Sequence, residues 1–196
     1  MQRESGKGFT LIELLVVIAI LSVLAVSVTL VLNPAELLKQ GRDSTRMSDL
    51  RALQSAIALY LADQSNPGIG GAGGTSCSSL SEWCTSGTTG RAAASCTTAT
   101  STAVDGTGWV KVDFEDISSG SPLSKLPLDP NNGSSNCGSG NEACFYSYAC
   151  NGTYYELNAA MESSRYASGG GSDVETNDGG DDTNLYEVGN DPGLDL

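Results

Sequence analysis

The chain has 196 residues, 10 Lys and Arg against 23 Asp and Glu, six Cys and no His. A formal net charge of −13 argues against nucleic-acid backbone binding by the body as a whole, and the missing imidazole excludes Ser-His and Cys-His nucleophiles. The length fits one domain plus a segment.

A short basic head with Arg3 and Lys7 ends at Gly8. From Phe9 to Leu32 the chain is apolar and carries one charge, Glu13. The uncharged part, Leu14 to Leu32, spans roughly 28 Å as a helix, close to the thickness of a hydrocarbon core. An ordinary secretory signal has a shorter apolar region followed by a cleavage site of small residues. A plain anchor fits the length but leaves Glu13 unexplained, since a charge in lipid costs about 2.5–3.5 kcal/mol and usually marks function. A simpler account puts Glu13 at the helix start, where it reaches the interface and favours the positive helix end.

The stretch "KGFTLIELLVVIAIL" resembles the class III signal of type IV pilins and of type II secretion pseudopilins. The resemblance implies cleavage between Gly8 and Phe9 by a prepilin peptidase, N-methylation of the new Phe9 amine, and retention of the apolar helix in the mature protein. It also implies that Glu13 pairs with the Phe9 amine of a neighbouring subunit in a helical homopolymer, with an inner-membrane platform and a cytoplasmic assembly ATPase as further partners. Opposite charges buried together cost less than either alone, and fixing register is the best-attested use of such pairs. The basic head holds the amino terminus inside.

Asn33 and Pro34 follow, and two readings stand. Proline kinks a continuing helix, or it occupies the first turn of a second helix capped by Asn33. Met47, Leu50, Leu53, Ile57, Tyr60 and Leu61 then recur at helical spacing, with Arg42, Asp43, Arg46, Asp49 and Arg51 mostly on the other side. Gly41 weakens the middle of this helix as a flexible joint, and "SNPGIGGAGG" ends it.

Thr75 to Thr107 reads as an irregular Ser/Thr/Gly-rich connector with one short helix around "SLSEWC". "WVKVDFEDI" alternates as a strand, with Trp109, Val110, Val112, Phe114 and Ile117 apolar. "LPLDPNN" is a rigid turn. "CFYSYAC" and "TYYELNAAM" form a hairpin through Asn151-Gly152. The expected fold is α+β: a long amino-terminal helix, half transmembrane and half amphipathic, on a small antiparallel sheet. The expected segments are a leader at 1–8, a membrane and filament-core helix at 9–32, and its amphipathic continuation at 33–66. A variable loop at 67–107 and a sheet region with an acidic final loop at 108–196 complete the chain. "LPLDP", the aromatic hairpin and the acidic end look like the major pseudopilin of type II secretion and its pilin relatives.

An exported body makes Cys77, Cys84, Cys96, Cys137, Cys144 and Cys150 disulfide candidates. Sequence leaves the pairing open. Cys77 with Cys84 and Cys137 with Cys144 are the short-loop options. Zinc would need clustered thiolates, and neither C-x-x-C spacing nor His is present.

From Ala167 onward there are eight acidic residues and no basic one. Asp173, Glu175, Asp178, Asp181 and Asp182 offer oxygens for calcium within a short loop, and the resemblance implies calcium in the same place. A solvated acidic tail is the alternative. The leading expectation is a non-enzymatic filament subunit for adhesion, motility or DNA uptake through the fibre. Two alternatives accompany it: a major-type pseudopilin of type II secretion and, from another class, a membrane-anchored binding module or hydrolase. The expected location is the cytoplasmic membrane before assembly and a periplasmic or extracellular filament after it.

Overall fold

The computed structural model describes residues 8–71 and 75–194; the leader positions before Gly8, with Arg3 and Lys7, lie outside the described residues. The chain separates into two compact units that meet in sequence between Leu38 and Lys39. The first contains helix α1, Leu11–Leu32. Its 22 residues rise about 33 Å, enough to cross a hydrocarbon core. Its apolar side chains from Leu11 to Val28 are exposed. The polar ones are satisfied within the helix: the Ser22, Ser27 and Thr29 hydroxyls donate to carbonyls three or four residues back. That is what lipid demands of a hydroxyl.

Asn33 ends α1 in the left-handed region, at φ 39°. Asparagine tolerates that region better than most residues. Helix α2, Pro34–Asp63, starts immediately after it, and Pro34 takes the first-turn position where its missing N–H costs nothing. Pro34 thus lies in the first turn of α2, as the second reading of Asn33-Pro34 expects, while Asn33 is the C-cap of α1. Helix α2 also runs unbroken through Gly41.

In the second unit α2 packs on a five-stranded sheet of order β2-β1-β3-β4-β5. Strand β1 is Cys77–Cys84, β2 Thr97–Thr98, β3 Tyr146–Gly152, β4 Tyr154–Ala159 and β5 Tyr186–Gly189. The expected apolar stripe does what its spacing promised. Leu50, Leu53, Ile57 and Tyr60 are fully buried, with Met47 and Leu61 packed at the margin. They meet the inner face of the sheet, formed by Tyr146, Tyr148, Cys150, Tyr155, Leu157 and Val188. The Tyr60 hydroxyl donates to Gly68 O, which folds the chain back after the helix, and Tyr148 donates to Ile69 O.

Four local expectations are corrected. "SLSEWC" is strand, not helix: it pairs antiparallel with β3, and disulfides tie both ends of β1. Tertiary pairing outweighs local propensity there. "WVKVDFEDI" buries all five of its apolar residues but forms no ladder. Its backbone bonds to the preceding loop instead, Trp109 N to Ser101 O and Phe114 N to Val104 O. A short 3₁₀ turn, Phe114–Asp116, interrupts it. The hairpin turn is one residue later than expected: Asn151 pairs with Tyr154, and Gly152, at φ 64°, turns with Thr153. Finally, the sheet is mixed, because β2 runs parallel to β1, and part of the acidic end is the edge strand β5.

The disulfides are Cys77–Cys150, Cys84–Cys96 and Cys137–Cys144. The short Cys77–Cys84 option is overturned because strand β1 holds those residues at its two ends.

Candidate functional site

The head of α1 brings together the residues singled out at the amino terminus. Thr10 is the helix cap. Its hydroxyl accepts from Glu13 N at 3.3 Å, while the Glu13 carboxylate accepts from Thr10 N at 2.8 Å and from the Thr10 hydroxyl at 2.6 Å. This is a reciprocal capping box, which satisfies orphan donors at the helix start. Thr10 is the residue that sequence reasoning passed over, although the T-x-x-E spacing announces it. The helix-start account of Glu13 therefore describes its contacts within one chain. A pairing with a neighbour's Phe9 amine concerns a second copy. A Cβ added at Gly8 would meet nothing within 4 Å, so nothing in the chain's own packing requires glycine there. Phe9 is exposed.

The charges opposite the apolar stripe of α2 are not a solvated helix face throughout. Asp43 and Arg46 are fully buried. Arg46 Nε and Nη2 donate to the two Asp129 oxygens at 2.7 and 2.9 Å, and its Nη1 donates to Asp43 at 2.7 Å. Burial alone would lower the guanidinium pKa. Hydrogen bonds and charge from Asp129 and Asp43 outweigh it and raise the value. Asp43 in turn accepts from Glu162 N and Ser163 N. Arg42 donates to Glu162 at 2.7 Å and holds that carboxyl below its ordinary value, against the opposing effect of burial. The loops around Asp129 and Glu162 cover this face of α2, which sequence spacing alone does not announce. Every partner in this network belongs to the chain itself, and the arrangement ties α2 to two distant loops.

The five carboxylates considered for calcium are spent separately. Asp173 accepts from Gly169 N, Thr176 N and the Thr176 hydroxyl. Glu175 turns inward, accepts from Met161 N and Ser168 N, and is pushed up to about 7 by burial. Asp178 accepts from Gly180 N and Glu187 N, and Asp182 from Asn184 N. Asp181 is exposed. No three of these carboxylates bring oxygens within 4.8 Å of one another. In this arrangement the five do not form a ready calcium shell. The triad within that distance among the described residues is Cys137, Cys144 and Glu162. Its two sulfurs are bonded to each other and its carboxylate to Arg42, so it offers no thiolate to zinc.

No curated protein and no solved structure matches the chain. Residues 5–29 match the family model described as the prokaryotic N-terminal methylation motif. The match spans the basic end of the head, Gly8, Phe9, the capping box and most of α1. The chain thus carries the class III prepilin signal of type IV pilins and pseudopilins, which with α1 fits a membrane anchor before assembly and a periplasmic or extracellular filament after it.

Proposed function

We propose that the chain is a structural subunit of a type IV-like pilus, cut between Gly8 and Phe9 by a prepilin peptidase, methylated at Phe9, and polymerised through α1. One observation carries this reading. A helix long enough to span a membrane, exposed from residue 11 to residue 29 and headed by a class III signal, precedes a unit with a core of its own. Such a helix needs lipid or copies of itself, and a filament supplies the second.

Glu13 is the residue on which assembly turns. Alone in its membrane it is held by Thr10. In a filament it gains the Phe9 amine of the next subunit, and a pair buried together sets the stagger between copies. Adhesion, motility and DNA uptake are the uses open to such a fibre, and its function is structural rather than catalytic. The test is Glu13→Ala: the variant is processed and inserted like the parent but enters sheared filaments poorly. Normal fibre yield would reduce Glu13 to a helix cap.

A further inference from the structure

The tip of the β3–β4 hairpin is held by its backbone and leaves its side chains unused. Asn151 pairs with Tyr154 in the ladder, and Gly152 turns the chain with Thr153. Asn190 braces the turn: its Nδ2 donates to Thr153 O at 3.0 Å, and its Oδ1 accepts from Tyr155 N at 2.7 Å. Gly152, Thr153 and Tyr154 are exposed and Asn151 is half-buried. A Cβ added at Gly152 would meet nothing within 4 Å, so no other segment presses on the turn there. Among the described residues the Asn151 amide and the Thr153 and Tyr154 hydroxyls enter no hydrogen bond.

Asn151-Gly152-Thr153 is also an Asn-x-Thr tripeptide, the acceptor pattern for sugar transfer to asparagine. The sequence holds a second tripeptide of this kind, Asn132-Gly133-Ser134, and the fold treats the two differently. Asn132 is tied at both ends of its amide: Oδ1 accepts from the Thr85 hydroxyl at 2.6 Å and Nδ2 donates to Thr85 O at 3.1 Å. Gly133 N donates to Cys144 O at 2.7 Å, and the Ser134 hydroxyl accepts from Asn136 N at 3.1 Å. Sugar transfer forms its new bond at Nδ2, which is engaged in Asn132 and free in Asn151.

A second feature singles out the hairpin. Tyr154 stands directly opposite Asn151, and opposed residues hold their Cβ atoms about 4.5–5.5 Å apart. Its side chain is 41% exposed. An aromatic face beside the acceptor gives the first sugar an apolar surface to lie against. The class III signal and the three disulfides fit an exported body, and exported surface loops are where this modification occurs.

We propose that Asn151 is a glycosylation site, taking one oligosaccharide from a lipid-linked glycosyl diphosphate through a membrane oligosaccharyl transferase. The Asn151 Nδ2 attacks the anomeric carbon of the donor. The N–C bond forms as the bond from that carbon to the phosphate oxygen breaks, the diphosphate leaves on its lipid, and the amide proton passes to a base of the transferase. No electron is gained or lost. The turn and the modification coexist, because the ladder uses the backbone of Asn151 and the transfer uses its side chain. The assignment concerns the exported body and does not rest on the filament reading.

The test is mass spectrometry, intact and after peptide cleavage, of the full chain purified from the membranes of its native cells. The expected result is a chain heavier than its sequence by a whole number of sugar residues, all on the peptide that contains Asn151. Asn151→Gln and Thr153→Ala should each lose that mass completely, while Thr153→Ser and Asn132→Gln keep it. If Asn151→Gln disturbs the hairpin, Thr153→Ala decides, since it leaves Asn151 and its ladder in place. A parent chain without sugar, sugar on Asn132 or on a Ser or Thr oxygen instead, or sugar on Asn151 that survives Thr153→Ala would each overturn the proposal.

Discussion

Helix α1 and the second unit both place charge where water is scarce, and they satisfy it over very different distances. Glu13 finds its donors three residues away, at Thr10. Arg46 finds Asp129 at a sequence separation of 83, and Arg42 finds Glu162 at 120. The hydroxyls of α1 likewise bond only to their own turn, whereas those of Tyr146 and Tyr148 reach across the fold to Asp49 and Ile69. The contrast separates two kinds of completeness. Helix α1 needs no other part of the chain to form, but its apolar side chains remain exposed and require a partner. The second unit closes on itself through a shared core, three disulfides and a buried ion network.

If that contrast is right, damage to the network should unfold the body and leave the anchor alone. Arg46→Met strands Asp43 and Asp129 as buried charges, and removing one partner of such a pair costs about 3–5 kcal/mol. Urea denaturation should show that loss while cleavage after Gly8 continues normally. A cost below about 1 kcal/mol would mean that the network behaves as a solvated surface.

The next effect is smaller and tied to pH. Glu162 is held below its ordinary value of 4.5, mainly by its hydrogen bond to Arg42. A carboxyl depressed in the fold stabilises it above the unfolded pKa, and the contribution fades as pH falls through the folded one. Thermal midpoints should therefore drop below pH 4.5 less steeply in Glu162→Gln than in the parent. Parallel curves would remove Glu162 from the acid response.

The smallest effect sharpens the boundary between the two regions. Gly41 lies in the interior of α2 and a Cβ there meets nothing within 4 Å. Gly41→Ala should stabilise the chain by about 0.5–1 kcal/mol through helix propensity alone. If fibre yield falls while the melting point rises, Gly41 serves as a hinge in assembly and not merely as a weak helical residue.

How much of this was legible in the sequence followed from the range of the forces involved. Local rules located α1, the stripe of α2 from Leu50 to Tyr60, and the hairpin strands β3 and β4, because periodicity and turn chemistry act over a few residues. They failed where long-range pairing decides. "SLSEWC" became part of strand β1 only because β3 and two disulfides hold it there. "WVKVDFEDI" supplied core side chains without a ladder. Asp43 and Arg46 look like an ordinary charged helix face until the loops of Asp129 and Glu162 fold over them. At the amino terminus the signal itself was plain, while Thr10 was read only as part of a motif and not as the partner of Glu13.

The central claim is that this chain is a cleaved, exported filament subunit, and intact-mass spectrometry of sheared surface fibres tests it most directly. The account predicts a chain beginning at methylated Phe9 with all six cysteines oxidised, and its absence from fibres when Gly8→Leu blocks the cut. A chain that still begins before Phe9, or a Gly8→Leu variant processed and assembled as well as the parent, would contradict it.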